Sequence, residues 1–270
     1  IDGVDLRRFQ RERGRTQRDI IDAYLEAGHG LAELHRAGLV HLDFKPENVV
    51  VEAARDGRPR RAVLVDLGLA ARIGDAPVRP AALSGGEVEY SLYAFGGTPA
   101  YAAPERLMGR KFDARADQFS FCVAFYEALF RSHPFIGATM EEFMSTAREE
   151  RPKIAESTVR LKYVHDVQAA IRQGHRVPVA RDLRLPWGLL AALDRGMDAD
   201  PTRRFASMDD LLRALTRGRR TANGIKRWVL PIAASLAVGG LSVQQYREMT
   251  MCSGFDDRVV AVWSPADADR

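Results

Sequence analysis

The sequence predicts an α+β fold: a mainly helical lobe with one short β-hairpin, followed by a single transmembrane helix. Three observations carry that expectation. Two apolar runs, Val49-Val50-Val51 and Ala62-Val63-Leu64-Val65, flank a polar turn around Asp56-Gly57, the mark of a hairpin. Apolar stripes at helical spacing lie on both sides of it. Near the C-terminus, an uncharged run follows a basic cluster.

Thr16-Gln17-Arg18-Asp19 reads as a helix start. Ile21, Leu25, Gly28, Leu31 and Leu34 then form an apolar stripe, and Gly38 suits the helix end. This helix would deliver the chain to His41. Gly28-His29-Gly30 sits inside the helical pattern, so it reads as close helix packing and not as a phosphate loop. The hairpin follows. Asp117-Gln118-Phe119-Ser120 opens a nearly all-apolar run through Phe130, which reads as a helix buried on every side. Cys122 within it is expected to be a small core residue. Residues 137–185 are charged and lack a clean period. From Leu185 the pattern returns, with Trp187-Gly188-Leu189-Leu190 and Leu193 on a helix. Ser207-Met208-Asp209-Asp210 resembles a capping box that opens the last lobe helix, through Leu215.

The chemistry lies around the hairpin. A hairpin brings its outer ends together, so Asn48, just before the first strand, should lie near Asp66, just after the second. An amide oxygen beside a carboxylate suits Mg²⁺, which takes hard oxygen ligands and is usually completed by phosphate. Asp43 and Lys45 place a candidate base and a cation beside that metal. Singly, these residues are ordinary: a turn carboxylate, a surface cation, a strand-entry cap. Their joint spacing describes a phosphoryl-transfer site.

His41-Leu42-Asp43-Phe44-Lys45-Pro46-Glu47-Asn48, then Asp66-Leu67-Gly68, then Gly97-Thr98-Pro99-Ala100-Tyr101-Ala102-Ala103-Pro104-Glu105 resemble the catalytic, metal and substrate-side loops of eukaryotic-type protein kinases. The resemblance implies the large, C-terminal lobe of that fold, with ATP and Mg²⁺ as cofactors. Asp43 would accept the proton of the substrate hydroxyl. Lys45 would neutralise charge on the transferring group, and Asn48 and Asp66 would hold magnesium. Lys45-Pro46-Glu47 is the pattern of Ser/Thr-directed members, in which Thr98 would hydrogen-bond near Asp43 and Lys45. His41, Glu105, Asp117 and Arg204 would be structural: Asp117 bracing the catalytic-loop backbone, and Arg204, in Asp200-Pro201-Thr202-Arg203-Arg204-Phe205, pairing with Glu105.

Two departures from the family pattern matter. Leu42 stands where many kinases have an arginine that binds an activation-loop phosphate, which implies a switch independent of that phosphate. Between Asp66 and Glu105 the hydroxyl residues besides tyrosines are Ser84, Ser91 and Thr98. Leu67 replaces the usual phenylalanine, a mild apolar swap. The family's small lobe carries a Gly-rich loop, a strand lysine and a helix glutamate, and nothing before His41 matches them. Gly85-Gly86 and Gly96-Gly97 lack the strand-turn-helix context. The chain opens with Ile1, so the expectation is a fragment that begins past the interlobe hinge at Asp2-Gly3-Val4-Asp5-Leu6.

The predicted organisation is a partial kinase domain over 1–217, a basic linker over 218–227, a transmembrane helix over 228–245 and the start of an extracytoplasmic region over 246–270. Arg217, Arg219, Arg220, Lys226 and Arg227 precede the run Trp228–Val243, sixteen residues without a charge, against the roughly twenty that span a bilayer. Trp228 and Tyr246 sit where interface aromatics do, and the basic flank places the lobe in the cytoplasm. Together with Cys252 and Trp263 beyond the span, this arrangement resembles bacterial receptor-type Ser/Thr kinases.

The 270 residues, 46% of them hydrophobic, suffice for one sizeable core plus a span. The net charge of +4 is spread along the chain with no aromatic-interleaved basic stripe, which argues against nucleic acid. The basic cluster beside the span suits anionic headgroups. Cys122 and Cys252, predicted on opposite sides of a membrane, are expected to form neither an internal disulfide nor a metal cluster. The expected partners are therefore Ser/Thr-bearing protein substrates and the membrane, with a homodimer left open. Two other functions stay in view. One is a pseudokinase or docking lobe without chemistry. The other is a small-molecule phosphotransferase, against which Lys45-Pro46 and the Gly-Thr-Pro loop tell.

Overall fold

The computed structural model describes residues 2–53, 59–73, 98–150, 155–177 and 185–219. Strand β1 (Val4–Asp5) leads into α1 (Leu6–Arg11), where the Asp5 carboxylate accepts from the Arg8 amide at 2.8 Å. Helix α2 (Gln17–Arg36) starts at Thr16 with a full capping box, Thr16 and Asp19 each binding the other's backbone N–H. It buries Ile21, Gly28 and Leu31 of the expected stripe, with Ile20, Ala23, Tyr24, Ala27 and Ala32 added, while Leu25 and Leu34 are half-buried. Gly38 then turns the chain at φ +77°, a left-handed conformation that glycine adopts without a side-chain penalty.

Strand β2 (Leu39–Val40) runs into the His41 loop, which ends in a 3₁₀ turn (Pro46–Asn48). Strands β3 (Val49–Ala53) and β4 (Pro59–Leu64) form the predicted hairpin, with Val49 opposite Leu64 and Val51 opposite Ala62. Its Asp56-Gly57 turn lies outside the described residues. Val49 and Val51 are buried while Val50 and Glu52 are half-buried, the alternation of a strand with one core face. β1 adds to β3, giving the order β1-β3-β4. β5 (Ala71–Arg72) pairs antiparallel with β2, Leu39 opposite Arg72 and Val40 opposite Ala71. The two pairings have one consequence for the site. The loop from His41 to Asn48 and the loop from Val65 to Ala70 are each gripped at both ends by the same two strand pairs.

Helix α3 (Pro104–Leu107) is one short turn. Helix α4 (Arg115–Phe130) is buried from Ala116 through Leu129, as its lack of a polar face requires. Tyr24 of α2 stacks on Phe125 at 4.5 Å between ring centroids and donates to the Ala124 carbonyl at 2.9 Å. Residues 137–185, which gave no period, contain α5 (Met140–Glu150) and α6 (Glu156–Gln173). Helix α7 (Trp187–Gly196) and helix α8 (208–219) complete the described residues. Ser207 caps α8 as expected, accepting from the Asp210 amide at 3.1 Å. The helix runs to 219, two residues into the stretch assigned to the linker.

Three glycines mark close contacts. A Cβ on Gly28 would lie 2.5 Å from the Leu212 side chain of α8, which bears out close helix packing at that position. A Cβ on Gly196 would meet Cys122 Sγ at 2.3 Å, so Cys122 is the tightly packed core residue expected. Burial pushes its thiol well above the ordinary range, leaving it unreactive. Gly188 faces Gly218 so closely that a Cβ would lie 2.6 Å from the Gly218 Cα. The expected span, Ser84, Ser91 and Cys252 lie outside the described residues. Among the described residues no helix is long and apolar enough to cross a membrane.

Candidate active site

The loop is held from beneath by Asp117. This fully buried carboxylate at the start of α4 accepts from the backbone N–H of His41 at 2.7 Å and of Leu42 at 2.8 Å. The His35 ring nitrogen Nε2 reaches the same carboxylate at 2.8 Å. Leu42 sits at φ +68°, a conformation that costs a non-glycine residue about 1–2 kcal/mol. Charged groups hold both sides of it: Asp117 takes its N–H, and the buried Arg106 guanidinium donates to its carbonyl. Burial lowers the Arg106 pKa while Asp117, Asp43 and Glu105 oppose that shift, and arginine stays charged regardless. His41 is buried, its Nδ1 accepting from the Asp43 amide at 3.3 Å.

That strained turn presents Asp43. Its Oδ1 accepts from the Thr98 amide at 2.7 Å. Its Oδ2 lies 2.9 Å from Lys45 Nζ and accepts from Asn48 Nδ2 at 3.1 Å. Lys45 Nζ also donates to Thr98 Oγ1 at 3.0 Å. Four of the predicted site residues, Asp43, Lys45, Asn48 and Thr98, therefore form one connected cluster. Asn48 spends its amide nitrogen on Asp43, bonding the Asp43 carbonyl at 2.9 Å as well; the atom it can offer a metal is the oxygen.

The hairpin sets the second metal-side residue. The Val65 amide donates to the Asn48 carbonyl at 2.9 Å, continuing the β3–β4 ladder and bringing Asp66 to the Asn48 end. Asp66 takes φ +61° and is exposed, with Oδ1 accepting from the Gly68 amide at 3.3 Å. One amide and one carboxylate suit a magnesium ion that draws its remaining ligands from phosphate and water. Among the described residues no cluster of three His, Cys, Asp or Glu forms a self-sufficient metal cage.

Glu105 and Arg204 make the expected pair, bidentate at 2.7 and 2.9 Å with both side chains buried. Arg204 also donates to the Asp198 carbonyl at 2.8 Å and the Arg115 carbonyl at 2.9 Å. Sequence reasoning missed His35, Arg106 and the contacts of Arg7 near the site. Arg106 directly follows the recognised Glu105, but only the fold shows that it reaches the Leu42 carbonyl.

The protein kinase domain family matches residues 1–216, and the chain belongs to that family. It is 35% identical over 127 residues to serine/threonine-protein kinase pkn2 of Myxococcus xanthus, covering 47% of this chain and 14% of that protein. With serine/threonine-protein kinase PknF of Mycobacterium tuberculosis it shares 35% over 141 residues, 50% of this chain and 27% of the relative. Serine/threonine-protein kinase ULK3 of Xenopus laevis is 34% identical over 143 residues, 52% and 27% of the two chains. The chain thus aligns with about a quarter or less of the length of these relatives.

Proposed function

We propose that this chain is the catalytic lobe of a membrane-anchored Ser/Thr protein kinase that transfers the γ-phosphate of ATP to protein hydroxyls. The observation that carries the reading is the Asp43 carboxylate, fixed by the Thr98 amide, Lys45 and Asn48 at the end of the hairpin that also presents Asp66. Mg²⁺-bound ATP would supply the electrophilic phosphorus, with Asn48 and Asp66 as the protein ligands of the metal. Asp43 orients the acceptor hydroxyl and takes its proton. Lys45 sits between Asp43 and Thr98 and places a positive charge where negative charge builds up. Thr98 supports Ser/Thr acceptors by holding both partners at once. The adenine and phosphate roof would come from a small lobe upstream of Ile1, and the apolar run Trp228–Val243 would anchor the lobe on the cytoplasmic face.

Two measurements test this. The protein extended upstream through its small lobe should put label from γ-labelled ATP onto serine and threonine of a general acceptor protein, and Asp43→Asn should abolish the transfer. An extended protein that stays inactive would shift the reading to a docking lobe without chemistry. For the anchor, a tag after Asp269 should be open to protease in intact spheroplasts. Protection of the tag, or recovery of the protein in the soluble fraction, would remove the span.

A further inference from the structure

A cleft of about 900 Å³ opens beside the site and is lined by Lys45, Asn48 and Thr98. Two carboxylates line the same cleft: Glu47, two residues along the loop from Lys45, and Glu127 of α4. Both are engaged by one residue of the chain itself. Arg7 Nε lies 2.5 Å from Glu47 Oε1, and Arg7 Nη1 lies 3.4 Å from Glu127 Oε1. The remaining Arg7 nitrogen donates to the Tyr101 hydroxyl, which in turn donates to Glu127 Oε2 at 2.5 Å. Arg7 is mostly buried, its side chain 20% exposed, and Glu127 is 7% exposed. Burial works against the Arg7 charge, but Tyr101, Glu127 and Glu47 outweigh it and raise its pKa.

The placement is informative. Without Arg7, two carboxylates would stand beside the acceptor position and attract a cation from an incoming segment. With Arg7 present, that attraction is already satisfied from inside the fold. Among the described residues lining the cleft, five are cationic and three anionic, and Asp43 and Glu156, paired with Lys45 and Arg148, balance the other two, so an arriving cation meets no net attraction. Arg11 and Arg148 on the rim pair with Glu141 and Glu156, and these exposed pairs are weak enough to exchange partners.

We propose that Arg7 is a specificity-determining residue: it fills the acidic subsite beside Lys45 from within, so the cleft rejects acceptor segments with Arg or Lys near the hydroxyl and takes neutral or acidic ones. This rests on the protein-kinase reading of the site. A substrate cation arriving here meets the Arg7 guanidinium already seated on Glu127 and on one oxygen of the 46% exposed Glu47, which is selection by a repulsive element.

The test uses the protein extended through its small lobe, as wild type, Arg7→Gln and Arg7→Gln/Glu127→Gln. The probes are peptides with one fixed threonine and Arg, Gln or Glu at each flanking position. Wild type should phosphorylate the Gln and Glu peptides in preference to the Arg peptides. Arg7→Gln should raise kcat/KM for Arg peptides relative to Gln peptides by about tenfold, the order of one uncovered charge pair. The double variant leaves no unpaired buried carboxylate on α4, so it guards against simple misfolding, and it should gain less because only Glu47 remains. An unchanged flanking preference in Arg7→Gln, or a wild type that favours Arg, would overturn the proposal. Fluorescence anisotropy of the same labelled peptides gives the comparison without turnover. If no peptide is phosphorylated, the kinase reading fails, while tighter Arg-peptide binding by Arg7→Gln than by wild type would still support the role of Arg7, and equal binding would still overturn it.

Discussion

Arg204 commits its guanidinium to the lobe: to the Asp198 and Arg115 carbonyls and, bidentately, to Glu105. Its neighbour Arg203 has a side chain 73% exposed and pairs with Asp198 at the surface. Arg204→Ala would leave the buried Glu105 charge unpaired, so it should cost about 3–5 kcal/mol. Arg203→Ala should stay within about 0.5 kcal/mol, as exposed substitutions do. Denaturant unfolding of the two variants checks this, and equal small effects would refute the buried pair. His133 gives a second test at this scale. It is buried, its Nε2 lies 2.9 Å from the Ala100 carbonyl and its Nδ1 accepts from the Phe135 amide at 3.4 Å. Only the neutral ring with the proton on Nε2 satisfies both contacts. Burial lowers its pKa, with the Ala100 carbonyl and Glu127 opposing. The unfolded chain therefore takes up a proton near about pH 6.5 while the fold resists it. Stability from this residue is complete above that value and falls as pH drops below it. His133→Gln should flatten the stability-against-pH curve between about pH 7 and 5; an unchanged slope would contradict the assignment.

At the scale of elements, the hairpin and helices α2, α4, α7 and α8 were legible because each carries a local signal. Two apolar runs around an Asp-Gly turn mark the hairpin, and the capping residues Thr16 and Ser207 mark α2 and α8. The all-apolar run after Asp117 needed no period, since a helix buried all round has none to show. Helix α6 was not legible: its apolar core residues Val159, Tyr163, Val167 and Ile171 do fall at helical spacing, but arginine, lysine, histidine and glutamine between them dilute the stripe. Helix α5 buries only Met144, so its sequence carries almost no core pattern. The Gly188–Gly218 contact between α7 and α8 was likewise invisible, because neither glycine says what it faces. Gly188→Ala should destabilise the lobe by about 1–3 kcal/mol, since the opposing atom is backbone and cannot turn aside. Gly28→Ala should cost less, because the atom it meets is the end of the Leu212 side chain. Urea unfolding of both variants decides the ranking, and a Gly188→Ala protein as stable as wild type would deny the close approach.

Across the whole molecule, the site exists because strand pairing and buried charge act on the same short loops. The β3–β4 and β2–β5 pairs fix where the loops begin and end, and Asp117 with Arg106 fixes the backbone in between. The site itself was readable in sequence because its side chains are close along the chain: Asp43, Lys45 and Asn48 lie in one loop, and the hairpin returns Asp66 to them. What was not readable depends on residues far apart in sequence, as in Arg7 with Glu127 and Arg106 with Leu42. The proposed division of labour makes Asp43 the base and Asp66 a metal ligand. Mg²⁺-dependent ATP binding and phosphate transfer, measured together on this lobe joined to a kinase small lobe as wild type, Asp43→Asn and Asp66→Asn, separate the two roles. Asp43→Asn should bind Mg²⁺-ATP like wild type but transfer at least about a hundredfold more slowly, the order of a lost general base, while Asp66→Asn should lose metal-dependent binding and transfer together. Wild-type transfer by Asp43→Asn, or wild-type Mg²⁺-ATP binding by Asp66→Asn, would contradict it.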